Sequence, residues 1–362
     1  MAELRQPRAG PRTPLLLLTP LLHLLTTVHS GAEQVSGDAL VDQLVAKHAP
    51  LLFLHPDERW FPGDVLEFIS HVHVQDGSGQ RRPVVDASLP VGSRSLDTHL
   101  VTSLPPGLGT EQVRPPPHLR GTSPATRPVP VYVTVSRCDT GQPTADLLPS
   151  FTATYWMFHP FSEGKKAAGR LRGSHVGDWE HVSLQVQYGE PVSLYISAHE
   201  FGAYYSYNRA TNLYQFASQV NRGGFPVSPQ YPPTLQVFRT HPVLYVARGS
   251  HGLWPSVGTH VYSRLAHLSD VTAAGTPWKT WQQLELLHRR PPQWLSFLGR
   301  WGNPAGCWHL LGALCALSGG PTGIPLKEAD FQCPAEAGAA AEPGTGRGRV
   351  YPSRWVQLLG RR

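Results

Sequence analysis

The segment GSHVGDWEHVSLQV, residues 173–186, places two carboxylates and two histidines within seven residues, directly before an apolar stretch. Side chains of a β-strand alternate between its two faces. Asp178 and Glu180 therefore fall on the same face as the apolar side chains that follow them, Val182, Leu184 and Val186. Since an apolar face packs against a core, the pattern predicts that both carboxylates point inward at the beginning of this strand.

Two inward carboxylates need compensation, because a buried ionised group without a partner costs several kcal/mol. A divalent cation would remove this cost and the repulsion between the acids, and imidazole nitrogens would complete a mixed oxygen and nitrogen shell. His175 lies just before the strand, His199 ends the next one, and His251 follows another. We therefore predict a site for a divalent cation, Ca²⁺, Mg²⁺ or Zn²⁺, with the ligands His175, Asp178, Glu180, His199 and His251.

A second interpretation of the same residues needs no metal. Asp178 can cap a turn after Gly177, and Glu180 can pair with Arg137 or Arg248. His181 falls on the opposite face of the strand, where we expect a surface or packed histidine. Both interpretations remain open at the level of the sequence.

Motifs of several functional classes are absent. GDWEH lacks the spacing of the HExxH zinc proteases, and the chain has neither a GxSxG nucleophile elbow nor a Walker-type phosphate loop. The formal net charge is +6, but basic residues come at most in adjacent pairs, so we expect no nucleic-acid partner. The C-terminal part is rich in tryptophans, most of which we expect in the core; an exposed pair would suit a sugar or lipid headgroup.

Alternating apolar residues dominate the middle of the chain and are typical of short strands. They occur at residues 129–135, 151–159, 182–186, 192–198, 242–247 and 259–262. The 35 glycines and 36 prolines favour turns over long helices, and helical spacing is confined to residues 36–48 and 280–288. The predicted fold is therefore mostly β: an antiparallel β-sandwich with long loops and a few short helices.

The first 30 residues have the pattern of a secretory signal, with three arginines, an apolar stretch and small residues before a cleavage point after Ser30. An uncleaved membrane anchor is the alternative. We expect residues 31–330 to form one β-sandwich domain, with a Pro-rich loop at 114–130 and a loose tail at 331–362. The mature protein should be secreted or lie in the lumen of the secretory pathway.

The cysteines fit an oxidising compartment, where an even number favours disulfide bonds. The chain has four, Cys138, Cys307, Cys315 and Cys333. We expect a bridge between two of the last three. Because no CxxC pair occurs, a cysteine zinc site is not expected.

Several stretches resemble the vacuolar-protein-sorting sixty-two family of fungi, plants and bacteria. They are PLLFLHPDERWFPGDV (50–65), SHVGDWEHVSLQV (174–186), LYISAHEFGAYY (194–205), HPVLYVARGSHGLWPSVGTH (241–260), and FLGRWGNP with GGPTGIP (297–304 and 319–325). They come in the family's order and span most of residues 47–330. The resemblance implies a secreted or lumenal, mostly-β fold and, since no biochemical activity is established for the family, little chemistry.

HVGDWEH is also similar to the GHRHDWE heptapeptide of the necrosis-inducing, Nep-like toxins. This resemblance implies a β-sandwich with a divalent cation near the motif and an action on membrane sphingolipids. Family members of the sorting group often have His-Gly-His where this chain has Gly249-Ser250-His251, so one ligand of such a site is missing here.

These observations predict a divalent-cation-dependent binding module whose ligand is a glycan or a lipid headgroup. If the ligand is a lipid headgroup, we expect the protein to contact a membrane peripherally. One alternative is a metal-dependent hydrolase, in which the cation activates water and Glu180 or His251 is the general base. The other is a trafficking adaptor of the secretory pathway that binds no metal.

Overall fold

The computed structural model describes residues 37–331, except for residues 87, 90–95, 106–107, 109–112, 139–147, 168–169, 224–225, 265–266 and 306–318. The predicted signal peptide and the predicted tail beyond residue 331 lie outside the described residues, as do Cys307, Cys315 and Cys333. Cys138 is described and is not a free thiol. The signal, the tail and the disulfide pairing therefore stay predictions.

The larger of two main sheets has eight strands, numbered like all other elements along the chain. They are Val131–Arg137 (β5), Phe151–Ser162 (β6), His175–Gln187 (β9), Glu190–Ala198 (β10), Phe201–Asn208 (β11), Leu213–Asn221 (β12), Thr234–Leu235 (β13) and Leu284–Leu286 (β20). Their order across the sheet is β13, β12, β11, β10, β9, β6, β5 and β20. Neighbours are antiparallel, except that β20 is parallel to β5. Strand β9, which carries GDWEH, therefore lies inside the sheet between β6 and β10.

The second main sheet is smaller and is built from distant parts of the chain. Its strands are Leu51–Phe53 (β1), Val237–Phe238 (β14), His241–Val246 (β15), Leu253–Trp254 (β16) and Pro277–Lys279 (β19). The order is β14, β15, β1 and β19, and β16 pairs with β15. Strands β1 and β15 are parallel, whereas the other pairs are antiparallel.

Smaller elements surround the two main sheets. The remaining strands are His73–Gln75 (β2), Arg81–Pro83 (β3), His99–Val101 (β4), Lys165–Ala167 (β7), Arg170–Arg172 (β8), Gly258–Ser263 (β17) and Leu268–Thr272 (β18). The α-helices are Gly37–His48 (α1), Val65–Ile69 (α2) and Pro117–Arg120 (α3), and short 3₁₀ turns lie at Thr280–Gln282, Gln293–Ser296 and Ile324–Leu326. Within the described ranges, every helix is too short or too polar to cross a membrane.

The two main sheets share one apolar core. Val182 and Leu184 of β9 lie in it with Leu52 of β1 and Leu244 of β15, and all four are fully buried. Helix α1 contributes one apolar side to the same core. Sheets that face each other through alternating apolar residues form a sandwich. The prediction of a mostly-β, largely antiparallel sandwich is confirmed, with two parallel strand pairs as exceptions.

A second apolar layer covers the opposite face of the larger sheet. Phe158 of β6 and Trp179 of β9 pack there with Trp294 and Trp301, and the ring centroids of Trp179 and Trp301 are 5.3 Å apart. Gly177 makes this approach possible, because it has φ +67° and a Cβ atom there would lie 1.8 Å from the Trp301 carbonyl oxygen. These tryptophans are core residues, as predicted.

The predicted helix over residues 280–288 is wrong. A 3₁₀ turn at Thr280–Gln282 leads directly into strand β20, which pairs with the edge of β5 from Leu284 to Leu286. Unpaired backbone groups at a sheet edge recruit an added strand, and this tertiary pairing overrides the helical spacing of the apolar residues.

Candidate functional site

The acidic half of the opening segment is part of a strand. Strand β9 begins at His175 and not at residue 182, and pairs along this half with β6, where His159 lies opposite Asp178. Asp178 and Glu180 are 8% and 2% exposed. Both carboxylates therefore lie on the buried inner face of the sandwich, as the strand alternation predicts.

Asp178 forms an ion pair with His251. The Nδ1 atom of His251 donates to Asp178 Oδ2 at 2.9 Å, and its Nε2 atom donates to the Trp60 carbonyl oxygen at 3.0 Å. Because both partners are acceptors, both ring nitrogens carry a proton and the imidazole is cationic. Burial lowers the pKa of His251, but the Asp178 carboxylate outweighs burial and raises it above its ordinary value.

The same pairing acts on Asp178 in the opposite direction. Burial raises the pKa of this carboxyl, but the hydrogen bond from His251 and the charge of the surrounding imidazoles lower it below its ordinary value. His159 stacks on His251 with ring centroids 3.7 Å apart. Burial and the His251 charge lower the pKa of His159 well below its ordinary value, so this second ring is neutral.

Glu180 is held by neutral donors. The Ser197 hydroxyl donates to Oε2 in a short hydrogen bond, and the backbone N–H of His199 donates to Oε1 at 2.9 Å. Burial, followed by the charge of Asp178, raises the pKa of Glu180 to about 7. A buried acid with a pKa near neutrality is a frequent mark of functional sites, although structural networks produce it as well.

The side chain of His199 leads to a further buried acid, Asp270. His199 Nε2 lies 3.1 Å from Asp270 Oδ2, and Lys165 Nζ lies 2.6 Å from Oδ1. The Ser250 hydroxyl and the Trp254 indole N–H also donate to this carboxylate, each at 2.9 Å. Burial raises the pKa of Asp270, but Lys165 and His199 outweigh this and hold it well below its ordinary value.

His175 lies beside this network without touching the carboxylates. Its Nδ1 atom is 2.7 Å from the carbonyl oxygen of Gly177. Burial lowers the pKa of His175, although the charge of Asp178 opposes this. His175 is therefore close enough to influence Asp178 electrostatically but is bonded to the backbone.

The five predicted ligands thus converge on one end of the sandwich, but they bond in pairs and not around one point. Asp178 contacts His251, Glu180 contacts the backbone of His199, and His175 contacts Gly177. Among the described residues, no group of three or more His, Cys, Asp or Glu side chains is arranged to hold a metal ion. The divalent cation stays a prediction.

The alternative in which arginines compensate the carboxylates is wrong for Glu180. Its oxygens accept from Ser197 and His199, and Arg137 contacts Asp38 at 2.8 Å instead. The compensating partners in the network are His251 at Asp178, and Lys165 with His199 at Asp270. Burial lowers the pKa of His199, but the Asp270 carboxylate outweighs burial and raises it above its ordinary value.

Ser250 and Lys165 lie as close together as a nucleophilic serine and its lysine base, but only this distance fits that role. Lys165 Nζ donates to Ser250 Oγ at 2.6 Å, and this hydroxyl donates to Asp270. A lysine can activate a serine only as a neutral amine, whereas Lys165 lies in an ion pair with Asp270, with Nζ 2.6 Å from Oδ1. Ser250 is also only 3% exposed. The pair therefore fits a structural role.

A second polar cluster lies on the other face of β9. His181 Nε2 and Arg222 Nη2 each lie 2.9 Å from the Asp330 carboxylate, and the Ser183 hydroxyl makes a short hydrogen bond to it. His181 is 6% exposed and is the packed histidine that the strand alternation predicts. Asp330 and Asp270 were not predictable as site residues, because neither belongs to a motif and each meets its partners only through the fold.

No family model matches the chain, and no solved structure matches it. The similarity to Nep-like toxins therefore stays a prediction. The chain is 26% identical over 318 residues to Vacuolar protein sorting-associated protein 62 of Saccharomyces cerevisiae. This alignment covers 80% of this chain and 65% of the yeast protein. It is 24% identical to TDA6, another protein of this yeast whose name refers to vacuolar protein sorting, over 86% of this chain and 72% of TDA6. Over most of its length the chain is therefore similar to these two sorting-associated yeast proteins, in agreement with the family resemblance.

Proposed function

We propose that the chain is a binding protein of a vacuolar sorting route, that it acts in the lumen or outside the cell, and that its ligand is a glycan or a lipid headgroup. The names of the two yeast relatives support the route. The buried carboxylate network supports a binding role over an enzymatic one, because its acids and bases are engaged with one another.

The single observation that carries the proposal is the burial of the two groups that a hydrolase would use as general base. His251 is 0% exposed with both ring nitrogens engaged, and Glu180 is 2% exposed with both oxygens engaged. A general base must come within hydrogen-bond reach of its substrate, and burial together with these existing hydrogen bonds disfavours that role for both groups. We infer that the network holds the ends of the two sheets together.

Complementation in yeast tests this function. Expressing the full chain in cells that lack the related sorting-associated protein should reduce the secretion of a vacuolar hydrolase into the medium. The Glu180→Gln variant should complement equally well, because an amide keeps the acceptor for Ser197 or His199. Unchanged hydrolase secretion in cells that contain the folded chain would refute the sorting role, and complementation by wild type alone would favour a catalytic carboxylate.

A second candidate function keeps the divalent cation. One observation in its favour is that the five predicted ligands converge at one end of the sandwich. Another is the raised pKa of Glu180, which reflects burial and repulsion from Asp178. A cation bound between the two carboxylates would relieve that repulsion. This candidate requires the Asp178 and His251 pair to open and predicts a stoichiometric metal ion in the purified protein.

A further inference from the structure

We propose that a cleft beside Glu58 binds a phosphate group through arginine side chains. The cleft has a volume of about 340 Å³ and is lined by Glu58, Arg59, Phe61, Arg114, Pro115 and Arg120. It lies outside the set of residues that the sequence predicts as a site. The inference rests on the proposed binding role and deepens it by naming the chemistry of the ligand.

The lining of the cleft has a surplus of positive charge. Three arginines and one glutamate line the cleft, and the glutamate carboxylate already accepts hydrogen bonds from the backbone. The Glu58 oxygens accept the backbone N–H groups of Arg59, Trp60 and Gly249, each at 2.8 Å. Arg114 and Arg120 are both exposed, and neither forms an ion pair with another described residue. Arg114 and Arg120 therefore offer an anion two exposed positive charges that form no ion pair within the described part of the chain.

Hydrogen bonds hold together the chain segments that carry these arginines. The Phe61 N–H donates to the Arg120 carbonyl oxygen at 2.8 Å, and Gly121 has φ +70° with its Cβ position 2.0 Å from the Phe61 carbonyl oxygen. On the other side, Arg59 Nη2 donates to the Val113 carbonyl oxygen at 3.0 Å, directly before Arg114. Backbone segments that are held in place before the ligand arrives lose less conformational entropy on binding.

The chemistry of the lining selects a phosphate over a carboxylate or a neutral sugar. A guanidinium presents a rigid fork of N–H donors that matches phosphate oxygens in pairs, and a concave surface of one charge concentrates anions. Several arginines suit a dianionic phosphomonoester better than a single carboxylate. A volume of about 340 Å³ is at the lower end of the roughly 300–1,000 Å³ typical of small-molecule pockets, so a phosphorylated headgroup or sugar fits it.

Isothermal titration calorimetry with the full chain tests the site. The probes are inorganic phosphate, a soluble inositol phosphate, and phosphatidylcholine vesicles with and without a phosphatidylinositol phosphate. Arg114→Gln and Arg120→Gln should each weaken binding about tenfold, the effect expected for losing one charge-assisted hydrogen bond, and the double variant should weaken it further. Arg114→Lys should recover part of the loss, because it restores the charge but not the fork.

Arg209→Gln is the matched control, because Arg209 is 81% exposed, lies outside the cleft and has only a 3.9 Å contact with Glu190. It should leave binding unchanged. Binding of a soluble phosphate compound, or of phosphate-bearing vesicles alone, supports the site and separates a free ligand from a lipid headgroup. Absence of binding to every probe, or equal binding by wild type and the double variant with the same thermal unfolding midpoint, overturns it.

The outcome is separable from that of the sorting experiment. Loss of phosphate binding in the double variant together with failed complementation by wild type keeps the site and removes the pathway role. Complementation without any phosphate binding keeps the pathway role and removes the ligand assignment.

Discussion

Asp178 and Glu180 are two residues apart on the same face of β9, yet their surroundings act on them in opposite ways. Asp178 contacts the cationic ring of His251, and its pKa falls below the ordinary value although burial alone would raise it. Glu180 accepts neutral donors, and burial together with the charge of Asp178 raises its pKa to about 7. When the pKa values of two neighbouring acids diverge, one acid is ionised at a pH at which the other still holds its proton. At neutral pH, Asp178 is therefore ionised and Glu180 is partly protonated.

Replacing Glu180 with Gln should change how protein stability depends on pH. The folded state holds the Glu180 proton more tightly than the unfolded state, so this group favours folding below pH 4.5, and its contribution is lost as the pH rises to about 7. The amide cannot ionise and should therefore stabilise the protein relative to wild type more at pH 8 than at pH 5. The raised pKa corresponds to a difference of about 3 kcal/mol.

Urea unfolding of wild type and Glu180→Gln at a series of pH values measures this effect. The difference between their unfolding free energies isolates the titration of Glu180, because both proteins retain His251 and Asp178. Asp42→Asn serves as a control for removing a carboxylate from a more exposed ion pair. A difference that is constant between pH 5 and pH 8 would contradict the raised pKa.

Alternation along β9 was sufficient to predict that Asp178 and Glu180 point inward, because strand geometry is local. The identity of their partners could not be derived in the same way, since Asp178 and His251 are 73 residues apart. Asp270 and Lys165 gave no signal, because neither belongs to a recognisable motif and their contact forms only once β18 and β7 approach one another. The sequence therefore predicted where charge is buried and not what neutralises it.

At the scale of elements, the residues after the 3₁₀ turn at Ile324–Leu326 lie across the outer face of the larger sheet. Asp330 contacts Arg222 and His181, and its backbone carbonyl oxygen accepts the Tyr204 hydroxyl at 3.3 Å. The next side chain, Phe331, packs edge-on against Tyr204. Polar contacts join this segment to β9, β11 and the end of β12, so they hold it against the larger sheet.

Asp330→Asn should destabilise the protein by about 3 kcal/mol, because removing one partner from a buried ion pair leaves the other charge uncompensated. The Asp330 side chain is 1% exposed. Glu328→Gln is the matched control, since Glu328 contacts the same Arg222 at 3.3 Å but is 45% exposed, and an exposed pair contributes about 1 kcal/mol or less. Equal unfolding free energies for the two variants would show that the Asp330 contacts do not hold this segment.

Elements that follow from a local sequence pattern were predictable. Elements that form only by pairing with a distant strand were not. The helix over residues 36–48 occurs as α1, since its apolar residues face one core. Strand β20 was mistaken for a helix, because Trp281, Leu284 and Leu287 also fit helical spacing. What decides between the two is the free edge of β5, which lies more than a hundred residues away in the sequence and leaves no local trace.

At the scale of the whole molecule, the two main sheets share an apolar core and meet a charged network at one end. Strands β6 and β9 run through both regions, from the apolar pairs around Val182 to the polar pairs around Asp178. Buried charges of this kind are tolerated when each has a partner and hydrogen bonds. The central claim is therefore that the chain neutralises its own inward carboxylates, with His251 at Asp178, and Lys165 and His199 at Asp270.

Metal content per chain tests this claim most directly. The full protein, purified without chelator, and its Asp178→Ala variant are compared by inductively coupled plasma mass spectrometry for Ca, Mg and Zn. Since the network carries its own cations, the account predicts substoichiometric metal in both proteins. About one divalent ion per wild-type chain that is lost in Asp178→Ala would contradict it and would establish the cation site that the spacing of the carboxylates and histidines predicts.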